Sequence, residues 1–164
     1  MIFNTKHNSD LYNTLLYLSR NLFFYDKIKL PDTFETRIYL MFMHFSVMLI
    51  IFKQQKVEFP QKIYDDLFNS VEYNLRELGF GDVAVNTKMK NMNKTFYDIL
   101  LKVNISNKSF KINKNLILKY FESLNDLNTA KYELFEQYMI NFYHFCFDIK
   151  PQTMIKDALK FKVI

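Results

Sequence analysis

Glycine is almost absent from this chain of 164 residues, and its two glycines, Gly79 and Gly81, lie two residues apart. Proline occurs three times, tryptophan never, and cysteine once. A β-sandwich needs many punctuated turns, so this shortage excludes an all-β body and favours helices. With Cys146 alone, no internal disulfide can form, which fits a reducing compartment. The stretch from Met1 to Asp10 has neither a secretory apolar core nor an Arg-rich presequence, so the expected location is cytoplasmic.

Catalytic constellations are missing as well. His7, His44 and His144 are far apart in sequence, and His144 and Cys146, two apart on a predicted helix, diverge. Asp65 and Asp66 are adjacent and diverge too. Gly79-x-Gly81 lacks the third glycine of a nucleotide loop and follows a helical pattern rather than a strand. No catalytic residue, cofactor site or metal site is expected, and the chain reads as non-enzymatic.

What the chain does have is apolar and aromatic bulk. Hydrophobic residues make up 49%, with 18 Phe and 11 Tyr, enough to bury a core. The stripe Leu11, Leu15, Leu18, Leu22 predicts a first helix. Leu30-Pro31 breaks the chain, and Asp32 with Glu35 three residues later reads as the capped start of a second helix, running to about Lys56. Within it, Ile38 to Phe52 carries no charge over 15 residues. A bilayer span needs roughly 20 apolar residues, and this run holds His44 and Ser46. It is therefore read as a buried central helix that includes Met41, Met43 and Met48. Arg37 and His44 enter that helix as polar groups in need of partners.

Further stripes follow: Tyr64, Leu67, Val71, Leu75 and Leu78 after Pro60; Met89, Met92, Phe96 and Leu100; Phe110, Ile117, Phe121 and Leu124; and Leu127, Ala130, Leu134, Tyr138, Phe142 and Phe145. Pro151 opens a short last helix through Phe161. Core packing or an adaptable methionine groove would account for Met89 and Met92. The fold expected is all-α, a single domain over 1–164, built as an orthogonal, irregular bundle of about seven helices around 38–52.

Charge is uneven. The chain holds 22 basic and 17 acidic residues, a net +5. Between Asn86 and Tyr120 stand Lys88, Lys90, Lys94, Lys102, Lys108, Lys111, Lys114 and Lys119 against Asp98 alone, so this segment is +7 and the remainder −2. Such a face suits a ribosome or an anionic membrane surface, or is merely solvated. No arginine clusters there and no RNA-binding signature occurs, so sequence-specific nucleic-acid reading is not expected.

The glycine pair falls in Leu75-Arg76-Glu77-Leu78-Gly79-Phe80-Gly81-Asp82, where both glycines read as backbone devices and Gly79 as a left-handed helix cap. Arg76 can pair with Asp82 while Glu77 faces solvent, or Arg76, Glu77 and Asp82 form a polar patch that recognises a partner. Lys88, Met89, Lys90 and Lys94 extend that candidate contact surface.

Two blocks resemble the ubiquinol–cytochrome c chaperone family. One is Pro31-Asp32-Thr33 with Arg37, Leu40 and His44. The other runs from Phe68 through Leu75–Asp82 to Val85, Lys88-Met89-Lys90, Met92 and Phe96-Tyr97. Tyr12, Ser19-Arg20 and Phe24-Tyr25 match more weakly. The chain departs from the pattern at Asn86, where proline is common, and at Asp98-Ile99, where Gly-Arg is common. The resemblance implies an all-helical, non-catalytic assembly chaperone that holds nascent or newly made cytochrome b for ubiquinol–cytochrome c reductase. The expected site is the cytoplasm, at the periphery of the inner membrane in a bacterium, or the mitochondrial matrix in a eukaryote. A helical adaptor at a membrane or ribosome with a different client is the alternative.

Overall fold

The computed structural model describes residues 9–106, 109–125 and 129–163. The start of the chain with His7, Lys108 and Leu127 lies outside them. Ser9 caps α1 (Asp10–Ser19), its hydroxyl accepting the Tyr12 N–H at 3.0 Å. Leu11, Leu15 and Leu18 are buried, but Leu22 lies past the helix and is 68% exposed. A π-turn at Phe23–Lys27 buries Phe24 in its place.

The second helix, α2, spans Phe34–Gln54. Its cap is Thr33, whose hydroxyl accepts the Thr36 N–H at 3.2 Å, and not Asp32. Thr33 holds the extended backbone just before the first helical residue, the position from which a side chain reaches the orphan N–H groups. Asp32 stands one residue too early and is exposed. The helix also stops short of Lys56, which takes a left-handed φ of 58°.

α3 (Gln61–Glu77) and α4 (Asp82–Lys102) form an antiparallel pair, followed by the strands β1 (Val103–Ser106) and β2 (Ser109–Ile112). The strands pair antiparallel, Val103 opposite Ile112. α5 (Lys114–Tyr120), α6 (Thr129–Phe147) and α7 (Met154–Asp157) complete seven α-helices among the described residues. The fold is all-α with one small hairpin. Phe110, expected on a helix, is buried on β2, where it and Ile112 alternate with exposed neighbours. Leu124 falls in a 3-10 turn after α5. On α6 the buried side chains are Phe135, Tyr138, Met139, Phe142, Tyr143 and Cys146, so the expected Ala130 and Leu134 are outside the stripe and Phe145 is half-buried at its edge.

α2 is the one helix among the described residues long and apolar enough to cross a membrane, with mean hydropathy 1.4, and 67% of that window is buried within the protein. Being packed on most sides explains why its apolar residues form no single stripe. On one side Phe42 and Phe45 meet Phe96 of α4 at 5.2 and 5.4 Å, with Tyr64 and Phe68 of α3 beside it. On another, His44 faces Tyr138 and Phe142 of α6. Met41, Met43 and Met48 are core residues; Met89 and Met92 are half-buried against its edge.

Two polar groups sit deep in α2. His44 is fully buried: its Nδ1–H donates to the Leu40 carbonyl at 2.6 Å, which leaves Nε2 to accept the Tyr138 hydroxyl at 2.7 Å. The expected partners are therefore present. Ser46 is buried, and its hydroxyl has no partner among the described residues.

Candidate functional site

The corner between α3 and α4 is built by Gly79. With φ at 95° it lets the chain turn back after Leu78, so the Gly79 N–H reaches the Arg76 carbonyl at 3.0 Å and the Phe80 N–H the Leu75 carbonyl at 3.4 Å. That pair of bonds is a Schellman motif, the left-handed cap read from the sequence. Gly81 differs: at φ −75° and ψ 169° it has extended backbone open to any residue, and it serves as the N-cap of α4. Only the first of the two glycines answers a backbone requirement.

Arg76 is committed to the same corner. Its guanidinium pairs with Asp82 at the start of α4 and with Glu72, at 3.1 Å, one turn back. Both partners hold its pKa above the ordinary value. The expected patch of Arg76, Glu77 and Asp82 is thus divided, because two of its members tie α3 to α4 across the turn.

Glu77 instead borders a cleft of about 380 Å³ between α1, α2 and α3. Leu16, Ile38, Met41, Phe34 and Leu78 provide its apolar lining; Tyr12, Arg20, Arg37, Asn74 and Glu77 provide its polar groups. Tyr12 is 5% exposed, and Asn74 lines the cleft with it. Burial raises the Tyr12 pKa, Arg20 and Arg37 lower it, and Glu77 raises it, so all three charges act on one hydroxyl. The Tyr12 hydroxyl is neutral at physiological pH. Arg20, Arg37 and Glu77 form no ion pair among the described residues.

Arg37 departs from the sequence reading, which gave it a buried hydrogen bond. It is half-buried on the cleft wall, and its guanidinium makes no hydrogen bond among the described residues, since the fully enclosed part of α2 starts beyond it. Arg20 and Asn74, both missed as site residues, complete the set. The signal for Arg20 was present, in the weaker upstream match that includes Tyr12. No Ser, Thr, Cys or His is among the residues that line the cleft. What the lining offers is apolar contact beneath charges of both signs.

A larger groove, about 1010 Å³, opens between α1, α3 and the C-terminal turns and is lined by Leu11, Tyr17, Ile63, Ile155 and Leu159 with Asp10, Asp66 and Lys156 among its polar members. None of the expected site residues borders it. Among the described residues no cluster of three His, Cys, Asp or Glu side chains could hold a metal.

The lysine segment is less uniform than its sequence. Asp98 binds Lys102 at 2.6 Å and Lys119 at 2.8 Å, and these lysines with Tyr120 hold its carboxyl far below the usual range. The Lys88 ammonium lies 4.7 Å over the Phe80 ring and that of Lys114 5.1 Å over Tyr132. Lys90, Lys94 and Lys111 are exposed and make no ion pair among the described residues.

Comparison with known families finds a match. The family profile described as Ubiquinol-cytochrome C chaperone covers residues 26–109, a little over half of the chain. Neither a curated protein nor a solved structure matches. The matched span holds α2, α3, the Gly79 corner, α4 and β1, and three polar cleft residues, Arg37, Asn74 and Glu77. The chain belongs to the ubiquinol–cytochrome c chaperone family. That membership carries a coarse role, a non-enzymatic assembly chaperone serving a respiratory protein.

Proposed function

We propose that this member of the ubiquinol–cytochrome c chaperone family holds newly made cytochrome b until it joins the reductase, and that the cleft between α1, α2 and α3 is where the client is held. The observation that carries this reading is the meeting of Tyr12, Arg20, Arg37 and Glu77, distant in sequence, around one concave surface. Unpaired charges above an apolar lining suit a segment of a membrane protein caught before insertion: side chains enter between Leu16, Ile38 and Met41, and the rim takes its polar ends. The cytoplasm, or the matrix in a mitochondrion, is the compartment in which such a client is met before assembly.

The test is genetic and biochemical together. Deleting the gene removes assembled ubiquinol–cytochrome c reductase, and an Arg37→Ala/Glu77→Ala variant with wild-type melting temperature fails to restore it or to co-purify cytochrome b. Normal assembly in the deletion strain, or full rescue by the folded variant, overturns the reading. Enrichment of a different client by the wild-type chain does so as well.

A further inference from the structure

The side of α4 turned away from the core carries a second pattern. Val83, Thr87, Lys90, Lys94, Tyr97 and Leu101 recur at spacings of four, three, four, three and four, one continuous helical stripe about 27 Å long. It lies opposite Val85, Phe96 and Ile99, which are buried. Val83 is 82% exposed, Leu101 80% and Tyr97 53%. Exposed aliphatic groups thus stand at both ends of the stripe, with two lysines free of ion pairs between them.

We infer that this outer face of α4 rests on an anionic phospholipid surface. Charge complementarity supports it. The two acids of α4 are both occupied, Asp82 by Arg76 and Asp98 by Lys102 and Lys119, so the helix offers positive charge without a free carboxylate. A helix lying in the interface buries aliphatic and aromatic side chains at the headgroup boundary while lysines reach up to the phosphates. Val83, Leu101 and Tyr97 fill the first role, Lys90 and Lys94 the second.

RNA is the weaker partner on the same observations. Four lysines of the basic segment are already engaged, Lys102 and Lys119 with a carboxylate and Lys88 and Lys114 on aromatic rings. A phosphate backbone also gives Val83 and Leu101 nothing to contact. This assignment stands apart from the client cleft, because none of the cleft's lining residues comes from α4.

The experiment is flotation of the full chain with vesicles of phosphatidylglycerol and phosphatidylcholine, against pure phosphatidylcholine and against purified ribosomes. The chain partitions onto the anionic vesicles. Lys90→Glu/Lys94→Glu weakens partitioning by about tenfold or more, and Val83→Ser/Leu101→Ser removes the part that survives high salt, both with unchanged melting temperature. Absence of vesicle binding overturns the inference, as does binding unaffected by Val83→Ser/Leu101→Ser. Preferential binding to ribosomes that is abolished by salt overturns it in favour of a polyanion contact.

Discussion

His44 shows how one side chain can be both legible and costly. Burial lowers its pKa from 6.5 to about 4, so the folded protein keeps a neutral imidazole that the unfolded chain would protonate. A depressed histidine pKa contributes stability that is fully present above pH 6.5 and lost as pH falls toward 4. Linkage puts that loss at about 2 kcal/mol between pH 7 and pH 5. Denaturant unfolding at the two pH values measures it, and a non-titrating His44→Gln chain, though weaker, has a shallower pH slope. An equal slope in both chains would show that His44 does not carry the dependence. Tyr138, the partner of Nε2, comes from 94 residues away. The sequence could therefore state that His44 needs a partner without naming it. Arg37 had the same appearance, a charge on an apolar helix, yet it lies at the wall; one-dimensional spacing does not say where along a helix the enclosure begins.

Caps and strands separate what is local from what is not. Leu30-Pro31 did mark the break before α2, but capping there depends on which residue holds extended backbone beside the first turn, and that is Thr33. Thr33→Ala should lower stability by about 1 kcal/mol, whereas Asp32→Ala should change it by only a few tenths, as read from paired unfolding curves. The reverse order would restore Asp32 as the cap. Gly79 was legible for the opposite reason: a left-handed turn after a helix has few alternatives to glycine. The hairpin was not read, although Val103-Asn104-Ile105 and Phe110-Lys111-Ile112 alternate apolar and polar residues as strands do. Phe110, Ile117, Phe121 and Leu124 also fit a helical spacing, and short apolar runs satisfy both periods. On α6, apolar residues cover so much of the surface that spacing alone could not fix which stripe faces inward.

Across the whole molecule, α2 sets the arrangement. Its sides pack on α1, on α4 and on α6, and its first turns, outside that enclosure, furnish Phe34, Arg37 and Ile38 to the cleft. Of the polar residues around the cleft only Glu77 stands out in the sequence as a contact candidate, because Tyr12, Arg20, Arg37 and Glu77 meet only after three helices have packed. The α4 stripe, by contrast, is local: the sequence singles out Lys88, Lys90 and Lys94, and the folded chain lays Lys88 over Phe80 while Lys90 and Lys94 form no ion pair among the described residues. Because the two surfaces share no residue, their free energies should add independently. Arg37→Ala/Glu77→Ala should therefore weaken cytochrome b capture in detergent while leaving vesicle flotation at the wild-type level. Lys90→Glu/Lys94→Glu should do the converse. Combining all four changes should give the product of the separate losses in a membrane-coupled capture assay. A combined loss no greater than either alone would mean that client and bilayer are engaged through one continuous surface, with α4 part of the client site.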